Sequence, residues 1–125
     1  MRLAILDDEP AFLEVLADLL HPFKPDLYDS TKAFKNSSYA GYDLILVDHS
    51  IDEGWYQFYI ETCARTKADY GVMTTFPRNH YGEIFPRTPD RVTRFFGKEH
   101  LNDILTWVQW TAYKKETLEM VSARG

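Results

Sequence analysis

Leu3-Ala4-Ile5-Leu6-Asp7-Asp8 is an apolar run that stops at two acids, and Leu44-Ile45-Leu46-Val47-Asp48 repeats the pattern later in the chain. Apolar residues at consecutive rather than alternate positions mark a strand buried on both faces, as strands lie in a parallel sheet covered by helices. In an open α/β sheet the carboxyl ends of such strands meet in one crevice. Asp7, Asp8 and Asp48 are therefore expected at a single site. Three carboxylates there repel one another unless a proton or a cation joins them, and a hard divalent metal is the first expectation.

Outward from these two strands the chain alternates. Pro10 suits a first helical turn, where its missing N–H costs nothing. Phe12, Val15, Leu16, Leu19 and Leu20 then recur at helical spacing. Pro22 and Pro25 stop that helix. Residues Asp26 to Asp29 predict a second strand, and Thr31 to Asn36 a short helix. Trp55, Tyr56, Tyr59, Ile60 and Cys63 form the next helical stripe, followed by a strand over Tyr70 to Thr74 and another over Val92 to Phe96. Leu101, Ile104, Leu105, Val108 and Ala112 line one side of a last helix. Between Pro77 and Arg91 the alternation weakens, because Pro77, Pro86, Pro89 and Gly82 permit at most a short or irregular helix. Arg78, Arg87, Arg91 and Arg94 make that region locally basic, which reads as a solvated loop rather than a dedicated binding surface. The result is a five-stranded parallel α/β domain over residues 1–112, with residues 113–125 as a helix extension or a linker.

A chain of 125 residues fits one domain with a real core, and 45% hydrophobic with 26% charged residues is globular composition. A net charge of -5 weighs against direct nucleic-acid binding and against anionic membranes. The single cysteine, Cys63, excludes an internal disulfide. With no signal-peptide pattern and no apolar run of bilayer length, a cytoplasmic protein is expected. His21, His49, His80 and His100 lack zinc spacing. Acids stand after the first strand where a phosphate loop or dinucleotide fingerprint needs glycines.

Four pieces in order complete a resemblance: the acidic pair in ILDDEP (residues 5–10), the strand-ending acid in DLILVD (43–48), the hydroxyl in GVMTT (71–75) and the lysine in RFFGK (94–98). Together they resemble the receiver domain of two-component response regulators, from the first strand to the last helix. The resemblance implies a flavodoxin-like, doubly wound sheet and a phosphoacceptor signalling domain rather than an enzyme. It implies that Asp48 accepts the phosphoryl group, that Lys98 reaches it, and that Thr74 is the hydroxyl that swings toward it. A register slip of one would give Thr75 that last role. Phe95 occupies the aromatic switch position.

Mg²⁺ is the implied cofactor, held by Asp7, Asp8, Asp48 and the backbone carbonyl of Ser50, with Asp8 coordinating directly and Asp7 directly or through water. The chemistry agrees, because a carboxylate beside the metal can attack phosphorus once metal and lysine neutralise the phosphoryl oxygens. Capping of the first helix is the alternative use of Asp7 and Asp8. The implied partners are a histidine kinase or phosphotransfer protein, a downstream protein that reads the last strand and helix, and a second copy in a homodimer.

The chain also departs from the family pattern. Glu99 follows Lys98 where proline is usual, so a trans bond is expected, since a non-proline cis bond costs about 2.5–4 kcal/mol. A less firmly aimed Lys98 is expected with it. The loop HSIDEG (49–54) is shorter than usual and lacks the usual proline, and Pro77 to Arg91 replaces a regular helix on the face most receivers use to signal. Two alternative functions follow. One is a pseudo-receiver, an interaction module that works without phosphorylation; the other is an acyl-phosphate phosphatase, although Ser50 stands where a haloacid-dehalogenase-like enzyme needs a second acid.

Overall fold

The computed structural model describes residues 1–75 and 92–124. Its strands are β1 (Leu3–Leu6), β2 (Asp26–Tyr28), β3 (Leu44–Asp48), β4 (Asp69–Thr74) and β5 (Val92–Gly97). They form one sheet in the order β2-β1-β3-β4-β5, with every pairing parallel. The described α-helices are α1 (Pro10–Leu19), α2 (Thr31–Lys35), α3 (Trp55–Thr62) and α4 (Leu101–Arg124).

Side chains alternate across the sheet and build two cores. Ala4, Leu6, Ile45, Val47, Tyr70 and Val72 face one way and pack against Phe34 of α2 and Trp55 and Phe58 of α3. Leu3, Ile5, Leu44, Leu46, Met73 and Phe96 face the other way and meet Leu16 of α1 and Ile104, Trp107 and Val108 of α4. The consecutive apolar runs are explained by this arrangement, since every residue of β1 and β3 is buried. Gly71 lets α4 close on the sheet: a Cβ at that position would lie 2.7 Å from a ring carbon of Trp107.

Two helical stripes differ from expectation. On α1, Val15 is exposed, and Leu13 rather than Val15 joins Phe12, Leu16, Leu19 and Leu20 against the core. On α3, Tyr56 and Ile60 are exposed, whereas Trp55, Phe58 and Thr62 are buried. Aromatic residues occupy so many positions of this short helix that periodicity admits more than one inward face. The deciding contact is tertiary, because Phe58 wedges between Phe34 and Tyr70 at ring separations of 5.1 and 6.1 Å. Cys63 belongs to a 3-10 turn after α3 rather than to its stripe. Pro22 likewise sits in a 3-10 turn, His21–Phe23, that follows α1. The last helix continues past Ala112 to Arg124. The short or irregular helix expected between Pro77 and Arg91 lies outside the described residues, as do Arg78, Arg87 and Arg91 of the basic region; Arg94 is exposed on β5.

Candidate functional site

The register of the sheet brings the ends of β1, β3, β4 and β5 together. Leu6 pairs with Val47, Asp48 with Met73, and Thr74 with Gly97, so Asp7, Asp48, Thr74 and Lys98 all stand at or just past the carboxyl edge. A carboxylate oxygen from each of Asp7, Asp8 and Asp48 lies within 4.8 Å of the other two. Asp7 is fully buried, Asp48 is nearly so, and Asp8 is exposed.

Asp7 Oδ1 accepts the backbone N–H of Glu9 at 2.9 Å, a turn bond that fixes the carboxylate where β1 leaves the sheet. Glu9 is the N-cap of α1, and no side chain caps that helix. The capping role considered for Asp7 and Asp8 therefore reduces to this one turn bond by Asp7.

Lys98 supplies the positive charge. Its Nζ is 2.9 Å from Asp7 Oδ2, 3.2 Å from Asp48 Oδ1 and 3.4 Å from Glu9 Oε2. The same ammonium lies 4.6 Å from the centre of the Phe12 ring, which walls it in from α1. There is no cis peptide bond among the described residues, in line with the trans bond expected at Lys98-Glu99. The expected loss of aim does not follow. The Lys98 N–H donates to the Thr74 carbonyl at 2.9 Å, and this sheet-like bond directs the side chain over the acids without help from a proline.

The electrostatics follow from crowding. Burial and then the Asp7 charge push the Asp48 carboxyl above its ordinary range, and the Lys98 ammonium only partly counters them. Burial works against the charged form of Lys98, but its close pairing with Asp7 and the charge of Asp48 outweigh that and raise its pKa.

Thr74 is buried at the end of β4, and Thr75 is exposed. Ser50 is exposed in the turn after β3, where the Ile51 N–H donates to the Asp48 carbonyl at 3.1 Å and the Trp55 N–H to the His49 carbonyl at 3.3 Å. Phe95 points to the opposite side of β5 from Phe96 and meets Trp55 edge-on at 5.4 Å. Trp55, which sequence reading placed only in a helical stripe, thus links the helix after the Asp48 turn to β5. Phe12 and Glu9 around Lys98 were also missed as site neighbours, since nothing in a sequence shows which side chain will cover a lysine many residues away.

A divalent cation fits these residues. Asp7 Oδ2 is buried and has no hydrogen bond of proper geometry among the described residues, although Lys98 is close. Its neighbours are two further carboxylates, and oxygen donors with one open, solvent-facing acid match the preference of a hard ion that keeps part of its water shell.

A five-stranded parallel sheet in this order, with helices on both faces, is the flavodoxin-like fold of receiver domains. No protein-family model and no curated protein matches the chain. Solved structures do. A response regulator receiver domain protein from Clostridium thermocellum superposes with a TM-score of 0.71 at 13% identity, covering 94% of this chain and 98% of that one. The signal receiver domain of an HD domain-containing protein from Pseudomonas fluorescens Pf-5 gives 0.70 at 11% identity, covering 95% and 91%. A member of a family of streptococcal redox sensors evolved from two-component response regulators gives 0.72 at 15% identity, covering 96% of this chain and 55% of that one. At such identities the likeness is one of fold.

Proposed function

We propose that this chain is a phosphoacceptor receiver domain. Asp48 takes a phosphoryl group from the phosphohistidine of a histidine kinase or phosphotransfer protein, and the change is read by a downstream protein. One observation carries the reading: the three acids share one crevice with Lys98 Nζ 3.2 Å from Asp48 Oδ1. Asp7, Asp8, Asp48 and the Ser50 carbonyl would hold Mg²⁺, which when bound offsets negative charge on the phosphoryl oxygens. Asp48 supplies the attacking carboxylate oxygen and Lys98 the remaining positive charge. Thr74, buried beside them, supplies the hydroxyl that turns toward the new group, and Phe95 follows it against Trp55. The domain changes only its own phosphorylation and turns over no external substrate, and its site is cytoplasmic. Residues 1–112 form the receiver unit and 113–125 extend its last helix.

Incubation with Mg²⁺ and acetyl phosphate tests this by intact mass. The unmodified chain is expected to gain one phosphoryl group, and Asp48→Asn, nearly isosteric, to gain none. A variant that still gains the mass moves the acceptor elsewhere. An unmodified chain that never gains it supports the pseudo-receiver, for which the pairing of Lys98 with both Asp7 and Asp48 provides a physical basis: it offsets the buried charge without a metal or a phosphoryl group. Continuous phosphate release would support a phosphatase.

A further inference from the structure

The helix α4 carries a second apolar face. Ile104, Val108 and Thr111 face the sheet and are buried. On roughly the opposite side, Trp110, Tyr113, Thr117 and Met120 are exposed and recur at alternating steps of about three and four residues, the spacing that forms a seam between two helices. Val121 broadens the stripe and is more than half exposed. Trp110 and Tyr113 already stack on each other at 5.7 Å, so this part of the seam is pre-ordered. Thr117 does not break it, because its hydroxyl is already satisfied within the helix, donating to the Tyr113 carbonyl at 2.9 Å. None of the other described elements covers the stripe.

We propose that this half of α4 pairs with the same segment of a second copy of the chain, parallel and in register. Charge selects both the partner and its direction. Lys114 flanks the stripe on one side and Glu116 on the other. A parallel pair of identical helices lays the Lys114 flank of each along the Glu116 flank of its mate, whereas an antiparallel pair lays like against like. The apolar residues offer roughly 500 Å² per chain, below the ~800 Å² of a standard interface, which describes a weak and reversible dimer. The pairing is independent of the phosphoacceptor reading, since it uses no residue of the acidic site.

Sedimentation equilibrium of the full chain between about 10 µM and 1 mM tests the pairing. A monomer–dimer equilibrium is expected, and Tyr113→Glu combined with Met120→Glu should leave only monomer with unchanged circular dichroism, because both positions are exposed. A wild-type chain that stays monomeric throughout, an assembly larger than two, or a dimer that survives both substitutions overturns the proposal. Direction is tested in a Cys63→Ser background by mixing Tyr113→Cys and Met120→Cys chains under mild oxidation. Cross-links of 113 to 113 and 120 to 120 are expected. A predominance of 113 to 120 cross-links overturns the parallel arrangement.

Discussion

Asp48 is a residue whose surroundings work against its own charge. Burial and the nearby Asp7 raise its pKa, so in the range above the ordinary carboxylate value the folded chain binds a proton more tightly than the unfolded chain. The stability contribution of that group is fully present below the unfolded pKa and is lost as pH rises through the raised folded value. At pH 7 the ionised carboxylate is therefore a cost. Asp48→Asn should raise Tm at pH 7, and the gain should vanish near pH 3, below the unperturbed value of about 3.9. Lys98→Met should do the reverse and cost about 3 kcal/mol at pH 7, since it leaves Asp7 and Asp48 facing each other without their cation. Thermal melts of the three proteins across pH 3 to 8 check both. A lower Tm for Asp48→Asn at pH 7 would show the carboxylate to be a net stabiliser and reverse the account of the site's electrostatics.

At the scale of elements, β1 and β3 were legible because burial on both faces writes an unambiguous pattern, and both are apolar at every position before their terminal acids. The short α2 was legible too: Ser30 caps it through Oγ, accepting the Ala33 N–H at 3.1 Å. The inward face of α3 was not legible, because Trp55, Tyr56, Phe58 and Tyr59 offer apolar surface around much of the helix and only the packing of Phe58 chooses among them. The aim of Lys98 was misread for a related reason. A trans bond after the lysine says little about its direction when a backbone bond to Thr74 and the ring of Phe12 set it. Gly71 was read merely as part of a strand, yet the approach of α4 depends on it. Gly71→Ala should cost about 1–3 kcal/mol by pushing Trp107 off the sheet, and Trp107→Leu in the same chain should recover part of the loss. Urea denaturation measures both, and a Gly71→Ala midpoint equal to that of the unmodified chain would show that Trp107 has room to retreat.

Over the whole molecule, the acidic site is a place where the fold gives up stability that a ligand can return. A cation bound only by the folded chain stabilises it by mass action, about 2.7 kcal/mol at a hundred times Kd. In a domain of this size that corresponds to a rise in Tm of roughly 10 °C. Asp8 separates this effect from ordinary folding. Its side chain is exposed and makes no hydrogen bond or ion pair with the described residues, so the fold does not need it, whereas its carboxylate is one of three within 4.8 Å of one another. Asp8→Asn should therefore melt with the unmodified chain in the absence of Mg²⁺ and lose most of the rise in its presence. Asp48→Asn should start higher and also gain little from the ion, because it removes both the repulsion and a ligand. Melts in Mg²⁺, with an equal ionic strength of NaCl as the control for screening, distinguish a bound ion from general charge shielding. An equal rise in NaCl, or an undiminished rise in Asp8→Asn, would remove the metal from the site and leave the Lys98 ion pairs as what holds the acids together.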